Sequence, residues 1–182
     1  YVGAEVAIGS ALVNFLEQPD VLAVSAVRAG ELVSLYWLGA MIGRFIGSAL
    51  LTRMPAGPLL TVAAAAAALM CLVVSQSTGS VAGVTAIAIG LFNSIMFPVI
   101  FTLTIERSSA PAPATSGLLC MAIVGGAFVP LLFAQVADAT GSRFVAFFVP
   151  MACYLLILLF GWRAGRTAVA RPIERGTPAA AH

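Results

Sequence analysis

An all-α, polytopic membrane fold is what this sequence predicts, and three observations carry that prediction. Hydrophobic residues make up 61% of the chain and charged residues 9%, with a mean hydropathy of +1.06. A soluble domain carries roughly 25% charged residues, so the charge here is too sparse to cover a surface in water. The apolar residues fall into runs of the length a spanning helix needs, about 20 residues, and short polar or proline-containing segments separate the runs. Lipid is therefore the solvent. The informative count is the number of spans, not the one domain that 182 residues would suggest in water.

The first run covers 1–16. It is short for a span and begins without a methionine, as the remaining end of a cut helix would, and it stops at the polar turn "EQPD". The second covers 32–52 and ends at "TRMPAGP". The third, 58–75, opens on Pro58, a residue suited to a first helical turn because its missing N–H has no partner there anyway. After "SQSTGS" comes the fourth, 81–105; after "ERSSAPAP" the fifth, 115–137; after "DATGSR" the sixth, 144–162. The closing stretch, 164–182, is polar and rich in Arg, Pro and Ala, the composition of a disordered tail.

Charge orients these spans. Every basic residue is an arginine. Arg53, Arg107, Arg163, Arg166, Arg171 and Arg175 fall on one side, against Arg28 and Arg143 on the other, where they sit among Glu17, Asp20, Glu31 and Asp138. Cytoplasmic loops carry the excess of positive charge, which puts the tail in the cytoplasm and the protein in an inner or plasma membrane. The net charge of +2 is too small and too scattered for a nucleic-acid partner. Cys71, Cys120 and Cys153 lie far apart in apolar runs, and the one histidine is His182. No metal ligand set, cofactor site or catalytic pair is visible.

Ionisable groups inside a membrane are costly and by default mark function. Glu5 stands 11 residues before the end of its run, roughly 16 Å deep, while Arg44 and Asn93 stand 12 residues into theirs, roughly 18 Å deep. All three approach the middle of a hydrocarbon core about 30 Å thick, which points to a polar centre inside a bundle. Each has a plainer reading. Arg44 could snorkel or pack against carbonyls, Asn93 could be interhelical glue, and Glu5 could pair with Arg44. Gly39, Gly43 and Gly47 form a stripe that lets helices approach closely. Trp37, Met41 and Arg44 share one face, fit either for a sugar or aromatic site or for an interfacial aromatic. Gly90 with Pro98, and Gly125 and Gly126 with Pro130, mark helices able to kink. Pro98 would bend its helix just below Asn93, whose amide would then line a cavity and suit a hydroxyl-rich ligand. Glu106 and Arg53 fall at the cytoplasmic boundary, where they could pair.

The segments "YVGAEVAIGSALVNFL", "GRFIGSALLTR", "GLFNSIMFPVIFTLTIE" and "GGAFVPLLFAQVADATG", in this order, resemble the C-terminal half of the fucose–galactose–glucose/proton symporter family within the major facilitator superfamily. The resemblance runs from Tyr1 to about Arg163. It implies six helices, the seventh to twelfth of a twelve-helix carrier, with the N-terminal six-helix half as the missing partner and a small sugar as substrate. By similarity, Glu5, Asn14, Tyr36, Trp37 and Asn93 would face the sugar, and Arg44 and Arg53 would serve gating and packing. In the family's fucose carrier the proton-linked carboxylates lie in the N-terminal half, and some relatives use sodium, so the coupling ion is H+ or Na+. The expectation is cation-coupled hexose or deoxyhexose symport by alternating access. The alternatives are a carrier of a drug or organic anion, or a sugar sensor that does not transport.

Overall fold

The computed structural model describes residues 1–170, and these are helical apart from short turns. Helix α1 spans Val2–Leu16, α2 Ala26–Leu51 and α3 Ala56–Gln76. The next three apolar runs each form two helices: α4 Gly79–Asn93 with α5 Met96–Arg107, α6 Ala112–Ala122 with α7 Gly125–Thr140, and α8 Arg143–Ala146 with α9 Phe148–Arg166. Among the described residues, five continuous or broken helices are long and apolar enough to cross a membrane; α1 is shorter.

Two of the three breaks have a proline behind them. A proline has no N–H for the carbonyl four residues back, and its ring crowds that carbonyl. Pro98 does this to Ser94, and the helix breaks at Ser94 and Ile95. Pro150 does it to Ala146, where α8 ends. Pro130 stays inside α7, nearly two turns after a break at Ile123 and Val124, where the Gly126 and Ala127 amides donate to the Ile123 and Val124 carbonyls at 2.8 and 2.9 Å, three residues back rather than four. Pro150 was legible in the sequence by the same rule but stood too near the start of its run to suggest a kink.

Two boundaries differ from the apolar runs. The α2 helix begins at Ala26, well before 32, because Ser25 caps it by accepting from the Arg28 amide at 3.4 Å. Arg28 and Glu31 thus stand on the helix as an exposed pair at 2.6 Å and not in a loop. At the other end, α9 runs on to Arg166, past the start of the expected tail, with the Arg166 guanidinium 4.0 Å above the Trp162 ring. Residues 171–182, most of that tail, lie outside the described residues.

Small residues set the packing. The alanine run of α3 buries Ala63, Ala64, Ala67 and Ala68, which lets α4 and α9 close on it. Gly57 meets Gly165 so closely that an added Cβ would stand 2.6 Å from the Gly165 Cα. The α2 stripe works the same way against the end of α4: a Cβ on Gly43 would collide with the Leu91 carbonyl oxygen and Ser94 Oγ, and one on Gly47 with the Ile95 side chain. The stripe therefore seats the Pro98-induced break. Burial is uneven across the bundle. Within the most apolar 18 residues of each span, half are buried in α3, against 22% in α2 and 6% in 112–140, so α2 and α6–α7 each present a broad uncovered face on either side of α1.

Candidate functional site

Asn93 is the last residue of α4, directly before the break, and it is fully buried. Its amide nitrogen Nδ2 donates to the Tyr36 hydroxyl at 2.8 Å, and its Oδ1 accepts from the Tyr154 hydroxyl at 2.7 Å. A carbonyl at a helix end has lost its intrahelical donor; here the Tyr1 hydroxyl replaces it, donating to the Asn93 carbonyl at 2.8 Å. Tyr36 in turn donates to the Glu5 backbone carbonyl at 3.4 Å. One amide thus ties α1, α2, α4 and α9 together. Tyr36 and Tyr154 are as deeply buried as Asn93. Buried polar groups must find partners, and this set satisfies itself.

The expectation that Asn93 lines a cavity therefore changes form. With no exposed surface it stands behind the wall, and Pro98 acts on it through the break at Ser94 and Ile95, which leaves Asn93 at the helix end where Tyr1 engages its carbonyl. Pro98 itself is exposed. Tyr36 and Trp37, expected as an aromatic pair, part company because adjacent helical residues point about 100° apart. Tyr36 joins the buried cluster, whereas Trp37 is 50% exposed, the two rings meeting edge-on at 5.2 Å.

Glu5 and the glycine on which Trp37 packs stand one turn apart on α1. Glu5 is half-buried, and one turn further along α1 stands Gly9, whose missing Cβ would sit 3.2 Å from Cζ2 of the Trp37 indole. The glycine lets the indole lie across α1 beside the Glu5 face. Met41 and Arg44 continue that face along α2, both exposed. Glu5 and Arg44 form no ion pair: the pairs among the described residues are Arg28–Glu31 and Arg107–Glu106. A half-buried carboxylate one turn from an exposed indole can accept hydrogen bonds from hydroxyls while the ring covers an apolar sugar face.

Asn14 does not reach this place. It follows Glu5 by nine residues, about two and a half turns, and so points from the opposite side of α1. There it borders a hollow of about 210 Å³ with Ser10, Asp138 and Arg143, and its backbone carbonyl accepts from Arg143 at 2.6 Å. At the tail end of the bundle Glu106 pairs with its neighbour Arg107 at 3.1 Å and not with Arg53, which is exposed in the α2–α3 turn. Gly39, Gly43 and Gly47 are packing positions, as their contacts with Leu91, Ser94 and Ile95 require. No cluster of three metal-ligating side chains occurs among the described residues.

Tyr1, Gly9 and Tyr154 were not singled out from the sequence. Tyr154 lies 10 residues into its apolar run, near the depth of Asn93. Counting buried hydroxyls along with charges would have found it, since a buried tyrosine O–H needs a partner. Gly9 carried no signal without its neighbour.

No family model matches the chain. The glucose/galactose transporter of Brucella abortus biovar 1 (strain 9-941) is 46% identical over 161 residues, covering 88% of this chain and 39% of that relative. The L-fucose-proton symporter of Escherichia coli (strain K12) is 29% identical over 168 residues, covering 92% of this chain and 38% of the symporter. The crystal structure of FucP, a major facilitator superfamily transporter in the outward conformation, superposes with a TM-score of 0.86 at 28% identity, over 90% of this chain and 39% of FucP. This chain belongs to the major facilitator superfamily. The part of FucP it matches is the C-terminal half, and it spans about two fifths of the length of these relatives.

Proposed function

We propose that the parent protein is a secondary active carrier moving a hexose or deoxyhexose, such as glucose, galactose or fucose, by cation-coupled symport. The observation that carries this reading is the 46% identity to a glucose/galactose transporter, sustained over 161 residues. In such a carrier a central site would lie between two six-helix halves, opened to each side in turn as the halves rock about it. This chain would supply one wall. Glu5 accepts hydrogen bonds from sugar hydroxyls, Trp37 stacks on the ring, and the Asn93–tyrosine cluster holds α1, α2, α4 and α9 in register behind them. Arg44, on the same face, reaches toward the other half.

The N-terminal six helices are the required partner. The coupling ion is a proton or sodium, bound at carboxylates outside this chain. The protein works in the inner or plasma membrane with its C-terminus in the cytoplasm, an orientation supported by Arg53, Arg107, Arg163 and Arg166 gathering at one end of the bundle.

Counterflow tests the reading. Vesicles holding the full-length protein are preloaded with unlabelled hexose, and a trace of labelled glucose, galactose or fucose is added outside. Transient accumulation of label is the expected result and ranks the sugars. No accumulation of any of the three by correctly inserted protein would transfer the assignment to another solute or to a sensor.

A further inference from the structure

At the tail end of the bundle, α5 and α9 diverge and leave a cleft of about 480 Å³. One wall is apolar: Leu156, Leu159 and Phe160 follow one line of α9, with Leu156 68% and Leu159 47% exposed. The mouth is basic, with Arg107 and Arg163 both lining it. Arg107 is held in place. Its Nε donates to the Ala164 carbonyl in the last turn of α9, and its other side is fixed by Glu106, which leaves the side chain only 16% exposed. Arg163 is exposed opposite it. Arg166, stacked on Trp162, lies on a neighbouring face of α9 and borders a separate hollow against α3. Two guanidinium groups at the mouth, Arg107 and Arg163, against the one carboxylate of Glu106 leave an excess of positive charge there.

The depth of the cleft is marked independently. Tryptophan and arginine at a helix end are the residues of a membrane–water boundary, and Trp162 with Arg166 lies beside Arg163. The charged mouth is therefore at headgroup level and the leucine wall below it at acyl-chain level. Basic pockets between spanning helices bind lipid headgroups, and guanidinium forks match phosphate oxygens.

We infer that this cleft is a binding site for an anionic phospholipid, with the phosphate between Arg107 and Arg163 and an acyl chain along Leu156 and Leu159. A free phosphate would use the mouth alone and leave the leucine wall unexplained. The site is separate from the Glu5–Trp37 face and does not depend on which solute is carried.

Native mass spectrometry of the delipidated full-length protein tests it, with phosphatidylglycerol, phosphatidylcholine of the same chains, and excess inorganic phosphate as probes. The expected result is preferential retention of phosphatidylglycerol, which Arg163→Gln reduces about fivefold, the loss expected for one arginine at an anionic surface. Arg163→Lys should keep most of it. Arg163 is the residue to change because Arg107 also fastens α5 to α9 and its loss would confuse binding with folding. Equal retention of the two lipids, or equal phosphatidylglycerol retention by wild type and Arg163→Gln, would overturn the site; the latter result would leave the cleft to the remaining half of the parent protein. Displacement of phosphatidylglycerol by inorganic phosphate would overturn the lipid as its occupant.

Discussion

Asn93 and Glu5 lie on neighbouring helices in the same layer of the bundle, joined through one tyrosine, yet their surroundings are opposite. Around Asn93 every polar partner is internal: Tyr1, Tyr36 and Tyr154 take up the carbonyl and both ends of the amide, and nothing is left exposed. Around Glu5 the carboxylate has no ion-pair partner among the described residues and opens beside a half-exposed indole. Depth alone ranks the two residues together. Satisfaction separates them: a polar group that is buried and fully paired fixes structure, and one that is only half-buried and has no ion-pair partner is available to a solute.

The largest effect should come from the open region. Glu5→Gln in the full-length carrier keeps the shape but removes a charged acceptor. Hydrogen bonds to charged groups contribute about 1.5–3 kcal/mol, so uptake per inserted molecule should fall roughly 10- to 100-fold. The amount of inserted protein should be unchanged. A drop in inserted protein with normal uptake per molecule would move Glu5 into the structural cluster and erase the contrast.

Asn93→Ala should do the reverse. It strands the Tyr154 hydroxyl in the core and leaves the Tyr36 hydroxyl only its bond to the Glu5 carbonyl, and an unsatisfied buried group costs about 1–3 kcal/mol. A lower melting temperature in detergent is expected, with sugar affinity of the surviving folded protein close to that of wild type. Lost affinity at unchanged melting temperature would put the amide in contact with the sugar. Tyr154→Phe removes one partner and leaves the Asn93–Tyr36 bond, so its effect is smaller. Hydrogen bonds between membrane helices average about 0.6 kcal/mol, and the melting temperature of Tyr154→Phe should fall between wild type and Asn93→Ala.

These expectations also mark what the sequence made legible. Hydropathy gave the spans, because lipid demands about 20 apolar residues per crossing, and it missed the start of α2, because a capped, ion-paired turn can extend a helix beyond its apolar run. The glycine stripe was legible as packing because close approach needs small residues at fixed spacing. Its partner, the broken end of α4, was not, since spacing on one helix says nothing about which neighbour fills it. Pro98 announced a break but could not reveal that Tyr1, 92 positions away, would engage the Asn93 carbonyl at the helix end before it. Depth identified the layer holding Glu5 and Asn93. The direction in which each side chain points within that layer came only from the assembled bundle, and direction is what divides glue from wall.

Asn14 is where that division can be sharpened most finely. Resemblance grouped it with Glu5, yet the two leave α1 on opposite sides, and what Asn14 gives its surroundings is a backbone carbonyl accepting from Arg143. Alanine keeps that carbonyl. Asn14→Ala should therefore change neither uptake nor melting temperature measurably, the size expected of a surface substitution away from special features, within about 0.5 kcal/mol. The informative pair is Asn14→Ala with Arg143→Gln. If the backbone bond is what matters, Arg143→Gln lowers the melting temperature and Asn14→Ala does not. Loss of uptake in Asn14→Ala at unchanged stability would place a solute on the α1–α7 side, and the wall would then have to include both faces of α1.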